Sequence, residues 1–152
     1  MVPNLDRRTV IELIASRDFS SRDLRSIDAS KRDLRGLKAV DAKLRDSNFN
    51  EANLEEADFT KANLSNAHLV NANLRKANFR NGDLEGTDFS GADLRGADFT
   101  NSSLIGASFC TFKNDQNIAA VFDAQTVLPD SVIAPLFPEQ YQFVRRALDA
   151  CK

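Results

Sequence analysis

One histidine, His68, and two cysteines, Cys110 and Cys151, are the only residues of their kinds in the 152-residue chain. A lone histidine cannot build a histidine-based catalytic triad or a histidine metal cluster within a monomer. The two cysteines lack the C-x-x-C spacing of a redox or zinc site and read as free structural thiols. They can pair only if the C-terminal segment folds back towards residue 110. No histidine is placed to activate Cys110 as a nucleophile. Glycine-rich phosphate loops and HExxH are absent from the sequence. Carboxylates are plentiful, but they recur at a fixed interval. From Asp18 to Ser108, Asp or Asn fills fourteen of nineteen positions spaced by five. An acid–base pair or metal site singles out a few carboxylates. A residue repeated every fifth position is a scaffold residue, expected to accept hydrogen bonds from nearby backbone N–H groups at turns. The expectation is therefore no catalytic residue, no cofactor-binding residue, no metal ligand and no enzyme.

The elements that carry this acidic row follow from the same period. Stepping by five from Phe19 to Phe109, seventeen of nineteen positions are Leu or Phe; the exceptions are Ala29 and Ala39. Two residues before this centre lies a small residue in most repeats, such as Ala52, Ala57, Ala62, Ala67, Ala72 and Ala77. An α-helix turns 100° per residue, so steps of five scatter the large residues around it. A flat strand would send successive centres to opposite faces, because five is odd. Short extended segments joined by corners satisfy the pattern. The small residue and the centre, two apart, share the inward face, and a corner before the next small residue restores that direction. The chain then winds as a solenoid whose stacked coils pair at about 4.8 Å, in keeping with fixed-period repetition. Every centre numbered with a final 4 is Leu, and every Phe centre ends in 9. Equivalent sides must lie an even number of repeats apart. This excludes a triangle and favours a square of twenty residues per coil.

Ala52-Asn53-Leu54-Glu55-Glu56, Ala57-Asp58-Phe59-Thr60-Lys61 and Ala92-Asp93-Leu94-Arg95-Gly96 resemble the motif of pentapeptide-repeat proteins. That motif is a small residue, Asp or Asn, Leu or Phe, and two freer positions. The resemblance spans residues 17–111. It implies an all-β solenoid, a right-handed quadrilateral (four-sided) β-helix of about five coils. With the flanking segments described next, the reading is such a β-helix with α-helical N- and C-terminal caps. Members of this size with helical caps are abundant in cyanobacteria, mostly without a defined role.

Along the chain, 1–152 reads as a single domain. Residues 3–16 form an amphipathic helix with Leu5, Val10, Ile11, Leu13 and Ile14 on its apolar side. It serves as a lid over the first coil or, in the other reading, as a docking helix. Residues 17–111 are the β-helix. Its first coils exchange volume between inward sites: Ile27 and Leu37 precede Ala29 and Ala39, a swap cores tolerate. Arg17, Arg22 and Arg32 also occupy inward positions, and the cost of burying an unpaired guanidinium requires them to reach solvent. Residues 112–137 form an irregular closing coil and loop, with a loop or bulge at 113–117. Pro138 opens a C-terminal helix, 138–151. Its Phe143, Val144, Ala147 and Leu148 either cap the last coil or make a homodimer.

Net charge is −2. The chain has no apolar run long enough to span a membrane, and its first eight residues lack the apolar core of a secretory signal. The expected location is the cytoplasm, with no membrane partner. Stacking at twenty residues puts Arg35, Glu55, Arg75 and Arg95 in one outward column, with Glu56 and Lys76 beside it. These charges form a solvated ladder or a candidate interface. Some pentapeptide-repeat proteins imitate duplex DNA and bind DNA gyrase, a role that needs a strongly acidic surface. Between Arg17 and Thr111 there are 15 acidic and 14 basic residues, so that surface is not indicated. Direct nucleic-acid binding lacks a basic stripe and stacking aromatics. The sequence favours a non-enzymatic scaffold for an unknown protein partner, as a monomer or a homodimer through the C-terminal helix. The alternative is a DNA-mimicking binder of gyrase or another topoisomerase.

Overall fold

The structure, a computed structural model, describes residues 7–113 and 116–119. Helix α1 spans Arg7–Ser16. Fifteen parallel bridges follow, each joining residues twenty apart, from Asp18↔Lys38 to Asp88↔Ser108. One coil is therefore four pentapeptides. The four sides are centred on 19, 39, 59, 79 and 99; on 24, 44, 64, 84 and 104; on 29, 49, 69, 89 and 109; and on 34, 54, 74 and 94.

The backbone explains the five-residue period atom by atom, because nearly every N–H in a repeat has its own partner. In the repeat around Phe59, Ala57 N–H donates to Leu54 O across the corner (3.0 Å), and Asp58 N–H donates to Leu37 O in the previous coil (2.8 Å). Phe59 N–H donates to Asn78 O (2.8 Å) and Lys61 N–H to Arg80 O (2.9 Å), both in the next coil. Only Thr60 N–H finds no carbonyl, and it donates to Asp58 Oδ1 at 3.0 Å. The Asp or Asn row supplies that missing acceptor. The same contact recurs at Ser20–Asp18, Ser30–Asp28, Asn50–Asn48, Ser65–Asn63, Ser90–Asp88 and Thr100–Asp98. Where His68 stands instead, Val70 N–H turns to Asn50 Oδ1 of the coil before (2.8 Å).

The last residue of each repeat has a left-handed backbone, with φ near +60° at positions such as Lys31, Asp41, Glu51, Lys61 and Asn71. Among the described residues thirteen non-glycine residues adopt it at this position, none of them β-branched or aromatic, the residue types for which that conformation is most strained. Arg17, at φ 51°, uses the same geometry to end α1, with its N–H reaching Leu13 O (3.2 Å) and Ile14 O (3.4 Å). This turns its side chain outward. Arg17, Arg22 and Arg32 are all exposed, as their charge requires.

Inside, the column is filled by Leu, Phe and Ala, with most of these side chains fully buried. Phe rings stack along their columns: Phe59 on Phe79 at 5.2 Å, Phe79 on Phe99 at 4.9 Å, and Phe89 on Phe109 at 5.3 Å. Facing columns meet edge-on, as Phe79 does Phe89 at 5.7 Å. Three buried hydroxyls return to backbone carbonyls, Ser47 to Leu24 O, Thr87 to Leu64 O and Ser102 to Phe99 O, and that of Ser90 donates to Asp88 Oδ1 at 2.6 Å. Ile27 and Leu37 are buried together with Ala29 and Ala39, so the volume exchange holds. Leu13 of α1 joins this core and Val10 and Ile14 pack on it, while Ile11, one residue off that face, is 57% exposed.

One segment differs from the sequence expectation. Instead of a loop or bulge at 113–117, strands β1, Cys110–Lys113, and β2, Gln116–Ala119, pair antiparallel, with Thr111 opposite Ile118 and Phe112 opposite Asn117. The physical reason lies in residue type. Thr111 is the first β-branched residue at the left-handed corner position, so the chain runs on extended. The rest of the expected closing coil, the C-terminal helix at 138–151, residues 3–6 of the expected N-terminal helix and any Cys110–Cys151 pairing lie outside the described residues.

Candidate functional site

Two of every five side chains in a repeat are buried, so function has only the outward rows to use. On the fourth side the expected column of Arg35, Glu55, Arg75 and Arg95 is present, but its charges pair differently from a simple ladder. Arg75 Nε lies 4.0 Å from Glu55 Oε1, and its Nη1 lies 3.9 Å from Asp93 Oδ2. Arg35 instead turns along its own side and grips Asp33 with two bonds of 2.9 and 2.8 Å. Arg95 holds Asp93 in the same two-pronged way, as Arg25 does Asp23 on the second side at 2.8 Å for both bonds. The signal for these forks is the Asp-Leu-Arg triplet. Residues two apart on an extended segment share a face, which puts the guanidinium beside the carboxylate. Vertical rungs do form at the corner row, where Lys76 Nζ meets Glu56 Oε1 at 3.3 Å and Lys31 meets Glu51 at 3.6 Å.

The forks shape the electrostatics. The Arg35 guanidinium, the Arg35 N–H and nearby Arg17 hold the Asp33 carboxyl down to about 2. The Asp23 carboxyl is lowered mainly by the Arg25 side chain. Asp93 is lowered mainly by Arg95, against an opposing desolvation effect. Hydrogen bonds from Ser20 lower Asp18, and those from Ser30 lower Asp28. Each is a carboxylate favoured by the folded state. Their contribution is complete above the ordinary Asp value of about 3.9 and is lost as pH falls through the lower folded values. Thermal melts followed by circular dichroism should thus be flat on this account from neutrality down to about pH 4.5 and fall steadily below it. A melting temperature that rises below pH 4 contradicts the assignment. These pairs lie at the surface, partly or fully open to solvent, so each one alone contributes little to stability.

His68 is exposed between Asn48 and Asp88 in its bridge column. Among the described residues no group of three His, Cys, Asp or Glu side chains is arranged to hold a metal ion, and no helix is long and apolar enough to cross a membrane. Phe143, Val144, Ala147 and Leu148 lie outside the described residues.

Comparison with known proteins matches the same stretch of chain. Residues 40–109 match the family described as a pentapeptide repeat region. A pentapeptide repeat protein from the Arabidopsis thaliana thylakoid lumen is 30% identical, with 63% of this chain and 68% of that one covered at a TM-score of 0.59. A pentapeptide repeat protein from the cyanobacterium Cyanothece 51142 is 20% identical, covering 80% of this chain and 97% of that one at a TM-score of 0.42. QnrB1, a plasmid-mediated fluoroquinolone resistance protein, is 20% identical, covering 70% of this chain and 65% of that one at a TM-score of 0.40. No curated protein matches the chain significantly.

Proposed function

The chain belongs to the pentapeptide repeat family, and from that premise we propose that it is a non-enzymatic scaffold that presents the flat faces of its β-helix to a protein partner in the cytoplasm. The observation that carries this reading is the division of labour within each repeat. The inward pair fills the core, the Asp or Asn closes the backbone, and the remaining outward side chains bear no structural duty common to all repeats. A right-handed winding of about five coils, closed by helices at both ends, is part of the same proposal. The fourth side, with Arg35, Glu55, Arg75 and Arg95, is the first candidate surface. Among the described residues, the filled column offers proteins a rigid, pre-ordered ledge but gives a small substrate no enclosed cavity with converging polar groups.

The test is affinity capture from extracts of the native host, using the full chain and the variant R35E/R75E/R95E. The wild-type chain should retain a distinct partner protein that the variant loses, with unchanged circular dichroism. No partner, or equal capture by both, overturns the reading. A gyrase supercoiling assay separates the DNA-mimic alternative. No inhibition is expected, because acidic and basic residues nearly balance along the β-helix, whereas a phosphate-like surface needs a dense negative charge.

A further inference from the structure

The second side carries a charge order that the other three lack. Level by level, its outward positions read Asp23 and Arg25, Lys43 and Arg45, Asn63 and Ser65, Asp83 and Glu85, Ser103 and Ile105. Parallel bridges join Asp23 to Lys43, Lys43 to Asn63, Asn63 to Asp83, and Asp83 to Ser103, so the five levels form one ribbon. Asp23 is neutralised by its fork with Arg25. Between the corners, what remains is a cationic level, a neutral level and an anionic level at equal spacing; the corners add Asp41 and Asp46 beside the cationic level and Lys61 beside the neutral one. Two shallow grooves of about 410 and 230 Å³ run along this face and meet at Arg45 and Asn63. Among the described residues, no ion pair within 4.0 Å occupies Lys43 or Glu85, and Arg45 reaches its neighbour Asp46 at 3.4 Å.

A plus–neutral–minus order is its own complement under a half-turn about a line lying in the face along the Asn63–Ser65 level. That rotation keeps each column and reverses the order of the levels. Lys43 then faces Asp83 and Arg45 faces Glu85, each pair occurring twice by symmetry. Asn63 and Ser65 face their own copies, and both side chains can donate and accept. Asp23 and Arg25, already paired, face the uncharged Ser103 and Ile105. We propose that the second side docks a second copy of this chain in an isologous, antiparallel pair. The same rotation defeats the other sides. On the first it sets Asp18 against Asp98. On the fourth it sets Asp33 against Asp93 and Arg35 against Arg95. On the third it sets Asn48 against Asp88 and forms no ion pair between bridge-column residues. The one like-charge meeting on the second side is Lys61 with its copy, at the corner, where solvent and salt screen it.

Five levels about 4.8 Å apart make a face only about 20 Å tall, short of the roughly 800 Å² per partner of a standard interface. The pair is therefore weak and held by charge, so it forms at high protein concentration and low salt. It uses no residue of the C-terminal segment, and it does not depend on the partner proposed above.

The test is sedimentation velocity on the full chain across a concentration series. A dimer should grow with concentration at low ionic strength and disappear at about 0.5 M salt, where the screening length is only a few ångströms. The variants K43E/R45E and D83K/E85K should each sediment as monomers, because like charges now face each other. Mixed in equal amounts they should restore a dimer, since one presents two anionic levels and the other two cationic ones. Asp83 also accepts from Glu85 N–H (3.2 Å) and Asn63 Nδ2 (3.0 Å). The pair R45E and E85K, which leaves those bonds in place, therefore repeats the test if D83K/E85K loosens the coil. A wild-type chain that stays monomeric, a dimer that survives in the charge variants, or mixtures that remain monomeric would each overturn the proposal.

Discussion

Replacing Phe79 with alanine should lower the unfolding free energy by about 3–5 kcal/mol. The ring has no solvent exposure and sits mid-column, stacked between Phe59 at 5.2 Å and Phe99 at 4.9 Å and meeting Phe89 edge-on at 5.7 Å. Each aromatic pair adds about 0.5–1.5 kcal/mol beyond the area it buries. The surroundings have little freedom to close over the gap. Phe79 N–H is bonded to Asp98 O at 2.7 Å, Asn78 N–H to Ala57 O at 2.9 Å, and Gly82 N–H to Phe79 O at 3.0 Å. The backbone is therefore pinned above, below and at the corner, and a cavity persists at its full cost. Urea denaturation followed by circular dichroism measures the effect. The midpoint should fall with little change in slope, because the surface exposed on unfolding hardly changes. A loss under 1 kcal/mol would place Phe79 outside the core and dismantle the column.

Much of this column can be read from the chain because its signal is repeated. The alternation of Leu and Phe centres requires sides to recur at an even number of repeats, and the i to i+20 bridges give four. The acidic row was legible as a backbone acceptor because Asp and Asn do this in turns, although the particular N–H it serves emerges only when the other four in the repeat are assigned. Three features escaped. The left-handed corner residue is marked by what it avoids, β-branched and aromatic side chains, and an avoidance is harder to see than a preference. Its first violation, Thr111, marks the step out of the coil into β1. The Asp-Leu-Arg forks run along a side and not between coils, and a spacing of two puts each pair on one face. The charge order of the second side lies in residues forty apart, Lys43 with Asp83 and Arg45 with Glu85. No local reading joins them, and they become related only when the coil length is known. Sequence periodicity therefore specifies the scaffold strongly and the faces weakly, because outward side chains are the ones the repeat leaves free.

The exchange of volume in the first coils gives the second large effect, and it tests whether packing obeys the column or the motif. Leu37 and Ala39 are both fully buried. Each stands where the motif would place the other. The reason lies in the neighbouring levels. Before Leu37 in its column comes Arg17, which the helix end turns into solvent, so the small-residue column is empty there and a leucine fits. Ala39 lies between Phe19 and Phe59 in the column of centres, beside Leu37, whose larger side chain supplies the volume a centre would otherwise fill. Leu37→Ala should cost about 2–5 kcal/mol, because no neighbour can fill the space. Ala39→Leu alone should cost about 1–3 kcal/mol by overpacking. If the inward pair behaves as one shared volume, the double variant should be more stable than Leu37→Ala, with a coupling of about 0.5–3 kcal/mol. If the first coils are instead shaped residue by residue around α1, the two losses should add. A double-mutant cycle by chemical denaturation distinguishes these results. Additive losses would mean that the pentapeptide pattern holds there in backbone alone, with a core packed on different terms from the regular coils after it.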